Sequence, residues 1–448
     1  MKLGILLVAF LVTRATPLAA QDSRRSLDLT IGGVGLSIGD SREAKGLRLN
    51  YRDSRLERVD GINVTIWRPY DGGHGDINGI AIGLPLTGGH NITGIATGVG
   101  VDVTDAFSGI AVTWLGMGAG NSLSGVAIGG LGVGAGNSVK GLAVGGLGVG
   151  VGGDIEGVAI GGFGAGAGGN VTGIVIGGLG AGIGSDFNGI GIGGLGMGIG
   201  GRLEGVAIGG LGVGSGLGGS GAVIGGLGAG LGGSFSGLLV GGLGAGVGGS
   251  FDGILMGGLG AGVGESFTGA AIAGVGVGIG GDFKGIALTG VGLGAGGDVS
   301  GIVITGGATG LGGDASGLHI NGWAMGAGGT IRHVSVAGLA IGASRIAGVA
   351  VAGGVLGSPE MKGVMIAGLW NRVRADEGWF GQRGRRVERE ARFTGVGISA
   401  FNQVRGHQSG LTIGLLNYAW TVDGLQLGLL NIVRDNPPAR RVLPIINW

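Results

Sequence analysis

Apolar residues and glycines alternate along most of this chain in a unit of sixteen residues. A glycine recurs at every sixteenth position from Gly109 to Gly317, and the units between read, for example, GVAIGGLGVGAGNSVK (125–140) and GLLVGGLGAGVGGSFS (237–252). A strict short period is typical of proteins in which each unit stacks on similar neighbours. We number the positions of each unit from 1 to 16, beginning at this glycine.

Within a unit, positions 2 and 4 are Val, Ile or Leu, positions 7, 9 and 11 are apolar, and positions 8, 10 and 12 are Gly. Position 15 is apolar between polar residues at 14 and 16. This period of two predicts β-strand, whereas a helix would need a period of 3.6 and would lose about 0.5–1 kcal/mol at each Gly. We predict strands at about positions 2–4 and 7–11, a Gly-Gly bend at 5–6, a polar turn at 12–14, and about six buried apolar side chains in each unit.

The side chains at positions 9 and 11 compensate each other in volume, so that a larger one at one position occurs with a smaller one at the other. Val133 occurs with Ala135, and Ala181 with Ile183. Because close-packed interiors conserve volume, both side chains are predicted to enter one narrow core. The glycines at 8, 10 and 12 would form a bare face that is either exposed or covered by a second sheet or another copy, and the scarcity of polar residues favours covering.

These features predict an all-β fold, a β-solenoid of about twenty short coils with a sixteen-residue period. An outer-membrane β-barrel is the alternative, because one unit could be a strand plus a turn. The Gly-Gly at positions 5–6 argues against it, since the apolar row shifts there from even to odd positions. We divide the chain into a signal peptide (1–20), an N-terminal capping segment (21–60) and Gly-rich solenoid repeats (61–370), which include the strict array (109–332). A charged Arg-rich insertion (371–394) and C-terminal repeats with a cap (395–448) follow.

The first twenty residues have the pattern of a secretory signal. Lys2 precedes an apolar run over 3–12, and Leu18-Ala19-Ala20 suits cleavage before Gln21. We therefore expect an exported protein at the cell surface or outer membrane of a Gram-negative-type bacterium, with the periplasm as an alternative.

The last three units share a further motif, GVGISAFN (395–402), GLTIGLLN (410–417) and GLQLGLLN (424–431). Together with the terminal PIINW (444–448), this resembles bacterial surface-repeat proteins of the Leptospira and Bacteroidetes type, which are built from GLxIGLLN units. The resemblance is clear over 363–448 and extends less closely back to Gly61. It implies an exported surface or outer-membrane repeat protein, and it carries over no catalytic residue.

Candidate chemistry is sparse. The net charge of +1 gives no reason to expect nucleic acid, and the absence of Cys excludes disulfides. We predict no catalytic, cofactor-binding or metal-binding residues, no cofactor, no evident small-molecule substrate and no enzyme, because the five His share no spacing and no column of the unit holds a ligand set. Asp, Asn or Ser at position 14, as in Asp154 and Asn170, is interpreted as turn-forming, with a weak cation-binding edge as the alternative.

Concentrated side-chain chemistry occurs only in the Arg-rich insertion. One interpretation is a solvated loop or short helix between coils, and the other is contact with anionic lipid headgroups or polysaccharide. The candidate interaction residues there are Arg372, Arg374, Trp379, Phe380, Arg383, Arg385, Arg386 and Arg389. The predicted function is that of a non-enzymatic envelope protein with a structural, adhesive or self-associating role, whose partners are other copies or envelope components; a barrel or pore-type protein is the alternative.

Overall fold

The computed structural model describes residues 26–70, 73–375 and 391–448. Contacts divide the chain into two units, Met1–Gly216 and Leu217–Trp448. Both consist of β-strands that pair in parallel with strands one repeat away. Of the two folds that the sequence leaves open, the structure therefore shows the first, and the predicted all-β solenoid with a sixteen-residue period is confirmed.

The first unit contains β1 (Ser26–Ile31), β2 (Val34–Gly39), β3 (Glu43–Arg52), β4 (Arg58–Trp67), β5 (Asp76–Gly83), β6 (Leu86–Gly89), β7 (Ile92–Val103), β8 (Ala106–Ala119), β9 (Ser122–Gly129), β10 (Gly132–Ala135), β11 (Ser138–Gly145), β12 (Gly148–Val151), β13 (Asp154–Gly161), β14 (Gly164–Ala167), β15 (Val171–Gly177), β16 (Gly180–Ile183), β17 (Phe187–Gly193), β18 (Gly196–Ile199), β19 (Arg202–Gly209) and β20 (Gly212–Ser215).

The second unit contains β21 (Gly218–Gly225), β22 (Gly228–Leu231), β23 (Phe235–Gly241), β24 (Gly244–Val247), β25 (Phe251–Gly257), β26 (Gly260–Val263), β27 (Phe267–Ala273), β28 (Gly276–Ile279), β29 (Phe283–Thr289), β30 (Gly292–Ala295), β31 (Val299–Thr305), β32 (Ala308–Leu311), β33 (Ala315–Asn321), β34 (Ala324–Ala337), β35 (Ala340–Ala352), β36 (Val355–Ser358), β37 (Glu360–Ala367), β38 (Trp370–Val373), β39 (Ala391–Ile398), β40 (Phe401–Val433) and β41 (Val442–Asn447), with a short 3₁₀ helix at Pro438–Arg440.

Each coil of the strict array has one long and one short strand. The long strand runs from about position 14 or 15 of one unit through the glycine to position 5 of the next, as in β11, and the short strand covers positions 8–11, as in β12. The bends therefore lie at positions 6–7 and 12–13. The predicted number of strands is correct, but the predicted long strand was too short and the first bend was placed one residue too early.

Four columns of side chains fill the core. Positions 9 and 11 are buried, as in Val133 with Ala135 and Ala181 with Ile183, which confirms the prediction of one narrow core. Positions 3 and 15 are the other two columns, as in Ala159 and Ile155. The expectation of six buried side chains in each unit was wrong, because positions 2, 4 and 7 lie outside this core.

The repeated glycine at position 1 is required by the backbone. Gly157 has φ of 135°, and a Cβ there would overlap the carbonyl oxygen of Gly141 on the preceding coil. L-residues rarely adopt this conformation, so both the dihedral angle and the close approach exclude a side chain. One exception in the array is His333, which takes this place with φ of 70°.

At the N-terminal end of the ladder, β1 pairs antiparallel with β2, and charged side chains occupy the core beside them. Arg48 is fully buried at position 3 and pairs with Asp53, while its Nη1 donates to Asn63 Oδ1 at 3.0 Å. At the other end, β41 pairs antiparallel with β40.

Candidate interaction surface

One column of large apolar side chains runs along the outside of each unit, at the bend between the strands. These are the residues at position 7, which are between 47% and 65% exposed. In the first unit they are Leu115, Leu131, Leu147, Phe163, Leu179, Leu195 and Leu211, and in the second Leu227, Leu243, Leu259, Val275, Val291, Trp323, Leu339 and Leu369. We call this the position-7 column. The bend places these side chains in solvent because residues 6 and 7 lie between strands and point away from the core.

Two further apolar columns lie on the outer face of the long strand. Successive side chains of a strand point to opposite faces, so positions 2 and 4 point outward when position 3 points inward. Ile254 and Ile286 at position 2 and Ile272 and Ile304 at position 4 are each exposed. The outer surface of these coils is therefore largely apolar, which is unusual for a folded chain in water.

The outer face of the short strand is bare backbone. Positions 8 and 10 carry glycine, and a Cβ built at Gly150 or Gly182 would meet nothing within 4 Å. Within the described ranges, no segment of the chain packs over these two residues, and both are exposed. The coils thus place a ridge, the position-7 column, beside a shallow glycine furrow.

Polar side chains at position 14 join successive turns. The backbone N–H of Asn170 donates to Asp154 Oδ1 at 2.6 Å, and that of Asp186 donates to Asn170 Oδ1 at 3.1 Å. The same bond links Asp282, Asp298 and Asp314 in the second unit. This agrees with the turn-forming interpretation. Among the described residues, no group of three His, Asp or Glu side chains is close enough to hold a metal ion.

Of the eight candidate interaction residues, the structure describes two. Arg372 lies on β38 with its guanidinium carbon 5.2 Å from the centre of the Trp370 ring, and Arg374 follows at the end of the strand. Both are half-buried. Trp379, Phe380, Arg383, Arg385, Arg386 and Arg389 lie outside the described residues.

Sequence reasoning missed a polar region in the core of the second unit. His319 and Ser335 lie in the position-3 column, both fully buried, and neither ring nitrogen of His319 makes a well-formed hydrogen bond. Burial lowers the pKa of His319 below its ordinary value of 6.5, and the nearby backbone of Ser316 offsets only part of this effect. A His and a Ser were the available signal, because the same position in the coils from Gly79 to Gly301 carries Ala, Val or Leu and, once, Gly.

The Asn residues of the C-terminal motif have a structural role. Asn371, Asn402, Asn417 and Asn431 are buried and form a ladder in which each Nδ2 donates to the next Oδ1 at 2.7–2.8 Å. Asn371 pairs with Leu356 of the preceding coil, so the ladder continues the aliphatic column at position 9. The Asn of the motif therefore marks where the core changes from aliphatic side chains to hydrogen-bonded amide side chains.

Comparison with known proteins does not assign this chain to a family. No family model, no curated protein and no solved structure matches this chain. The part of the chain that the structure describes contains no helix long and apolar enough to cross a membrane.

Proposed function

We propose that this protein is a non-enzymatic structural protein of the bacterial cell envelope that works by lateral self-association of its coils. The β-solenoid is compatible with a structural repeat protein. The observation that carries the proposal is the position-7 column, which exposes one large apolar side chain on nearly every coil. Export and a surface location rest on the N-terminal sequence over 1–20 and on the resemblance of 363–448 to surface-repeat proteins.

A second copy is the partner that fits this surface best. Neighbouring coils lie about 4.8 Å apart, because β-ladder hydrogen bonds set their spacing. Two copies therefore have columns with the same spacing, so the ridge of one can follow the glycine furrow of the other over many coils. A partner without this period would lose register after a few side chains.

Burying the exposed apolar surface would contribute substantially to the free energy of association. Fully burying a Leu or Ile contributes about 1.5–3 kcal/mol, so covering a half-exposed side chain contributes about 1 kcal/mol. About ten such side chains would then offset a substantial part of the roughly 4–15 kcal/mol cost of association. Positions 2, 4 and 7 of a few coils supply that number. In the coils that begin at Gly221 to Gly285, these three positions carry no charged residue, so like-charge repulsion does not oppose the contact.

Sedimentation velocity of the purified chain tests this proposal. We expect dimers or larger species at micromolar concentration without detergent. A triple variant with Leu227→Gln, Leu243→Gln and Leu259→Gln should be monomeric, because three successive residues of the ridge become polar. The matched control places Gln at the exposed position 16 of the same coils, with Ser236→Gln, Asp252→Gln and Thr268→Gln, and should associate like the original chain. A monomeric original chain at 100 µM, or loss of association in both variants, would contradict the proposal.

A further inference from the structure

The first strand of the structure, β1, has a free edge. Among residues 26–70, 73–375 and 391–448, β1 pairs with β2 alone. Proteins usually block such an edge with Pro, Lys or a bulge, because an unpaired strand can hydrogen-bond to another chain. In the second unit, β41 contains Pro444, and its ladder with β40 has a register shift. β1 contains no Pro, Lys or Arg and pairs with β2 without a shift, so its edge is open to a further strand.

The turn after β1 determines which backbone groups point to this edge. Gly32 and Gly33 both have positive φ, and Ile31 pairs with Val34 across them, which is the geometry of a type I′ hairpin. In such a turn the N–H of Val34 donates to the Ile31 carbonyl. Because hydrogen-bonded and non-hydrogen-bonded pairs alternate along an antiparallel ladder, every second residue before Ile31 also bonds to β2. The backbone groups that point to the free edge are therefore those of Ser26, Asp28 and Thr30.

The side chains of β1 form two different faces. Leu27, Leu29 and Ile31 point outward and are 52%, 51% and 67% exposed. Asp28 lies on the opposite face, where its Oδ1 accepts a hydrogen bond from Ser37 Oγ at 2.5 Å. The strand thus presents an apolar row on one face and a carboxylate on the other, beside an unpaired edge.

We propose that β1 pairs antiparallel with β1 of a second copy, about a two-fold axis at Leu29. In this register, Asp28 lies opposite Thr30 of the second copy in a hydrogen-bonded pair, and the Thr30 hydroxyl can donate to the Asp28 carboxylate. Leu29 lies opposite Leu29, and Leu27 lies opposite Ile31, so that three apolar pairs form on the outer face. The sequence of β1 is therefore complementary to itself.

Other registers of the same pairing fit less well. Sliding the strands by two residues in one direction places Asp28 opposite Asp28, and like charges directly opposite each other are destabilising. Sliding them by two residues in the other direction places Thr30 opposite Thr30 and leaves Leu27 opposite Gly33 of the turn. The positions of Asp28 and of the apolar residues therefore select the register centred on Leu29.

This contact joins two copies end to end. Leu29 pairs with Leu36 on β2, and Leu36 pairs with Leu47 at position 2 of the next coil, so the outer apolar column of one copy continues into the other. Each copy contributes the six residues of β1, compared with roughly 20–30 on each side of a stable interface. We therefore expect a weak dimer, which sedimentation at micromolar concentration does not detect. The contact does not use the position-7 column and does not rest on the lateral association proposed above.

Cysteine cross-linking captures a weak dimer and reports its register. The chain contains no Cys, so each variant has a single thiol. Leu29→Cys places two thiols in a non-hydrogen-bonded pair with Cα atoms about 4.5 Å apart, within the range of disulfides. The thiols of two Leu27→Cys chains, or of two Ile31→Cys chains, are four residues out of register and roughly 13 Å apart. These two variants are the matched controls.

All variants also carry Gln at Leu227, Leu243 and Leu259, so that the result does not depend on lateral association. Oxidation in air at about 200 µM, followed on non-reducing gels, measures the rate of dimer formation. We expect Leu29→Cys to dimerise at least fivefold faster than either control. An equal mixture of Leu27→Cys and Ile31→Cys should link within twofold of the rate of Leu29→Cys, because these residues lie opposite each other. No linkage of Leu29→Cys above the controls would overturn the proposal, and preferential linkage of Leu27→Cys to Leu29→Cys would overturn the register.

A proline at the free edge tests the backbone contact. The N–H of Thr30 points to the second copy, so Thr30→Pro removes this donor without removing a bond to β2. In the Leu29→Cys chain, we expect Thr30→Pro to slow dimer formation at least fivefold. Thr30→Ala keeps the N–H and should slow it less than threefold. Equal rates for Thr30→Pro and Thr30→Ala would show that the two copies do not pair through this edge and would overturn the proposal.

Discussion

His319 lies directly opposite Ser335 on the next coil of the ladder, and both side chains are fully buried. Neither Nδ1 nor Nε2 of His319 nor Oγ of Ser335 has a hydrogen-bond partner within the described residues. Nearby, Thr305, Thr309 and Asn321 bond to one another in the same core. The core of the strict array, which is mostly apolar elsewhere, thus contains a polar section in the coils that begin at residues 301, 317 and 333.

The first prediction concerns pH. Burial lowers the folded-state pKa of His319 below 6.5, so the unfolded chain binds more protons in the acidic range. The contribution of neutral His319 is fully present above pH 6.5, and it decreases as the pH falls from 6.5 towards the folded-state pKa. We expect the urea midpoint to fall between pH 7 and pH 5, and this fall to be smaller in His319→Ala. The control is Val303→Ala, a buried residue of the same column without an ionisable group, which should keep the original pH dependence. Identical pH profiles for His319→Ala and the original chain would contradict the prediction.

The second prediction separates two kinds of glycine. Gly157→Ala places a Cβ against the Gly141 carbonyl at a φ of 135° and should lower the free energy of unfolding by at least about 2 kcal/mol. Gly150→Ala meets no atom within 4 Å and should be neutral or raise stability by about 0.4–1 kcal/mol, because alanine restricts the unfolded chain. Urea denaturation followed by circular dichroism measures both. Equal effects would show that the position-1 glycines are not required by the backbone.

The sequence predicts the period, the two strands of each coil and the burial of positions 9 and 11. It misplaces the long strand because period-two alternation defines two faces without saying which is inside. Val158 and Ile160 are larger than Ala159, so hydrophobicity alone favours positions 2 and 4 as the core, whereas a narrow core takes the small Ala159.

The third prediction compares two leucines of one coil. Leu239 is fully buried at position 3, and Leu243 is 52% exposed at position 7. Leu239→Ala should cost about 2–5 kcal/mol, because it removes buried methyl groups and leaves a cavity. Leu243→Ala should cost less than about 1 kcal/mol in the monomer. Urea denaturation at a protein concentration too low for association measures the free energy of unfolding of both variants. The Leu227/Leu243/Leu259 triple variant serves as the monomeric reference. A cost for Leu243→Ala equal to that for Leu239→Ala would place the position-7 column inside a core.

The fourth prediction concerns the asparagine ladder. Asn417 accepts from Asn402 Nδ2 and donates to Asn431 Oδ1, each at 2.7 Å, and also donates to the Leu427 carbonyl. Asn417→Ala removes these partners from buried groups and should cost about 2–4 kcal/mol, since each unpaired buried group costs about 1–3 kcal/mol. Asn188 is exposed at position 16, and Asn188→Ala should change stability by no more than about 0.5 kcal/mol.

Because repeat proteins unfold locally, amide hydrogen exchange of residues 395–433 is the sharper measurement. We expect faster exchange there in Asn417→Ala, with residues 125–216 unchanged. Protection equal to the original chain at 395–433 would mean that the amide ladder contributes no stability to these coils.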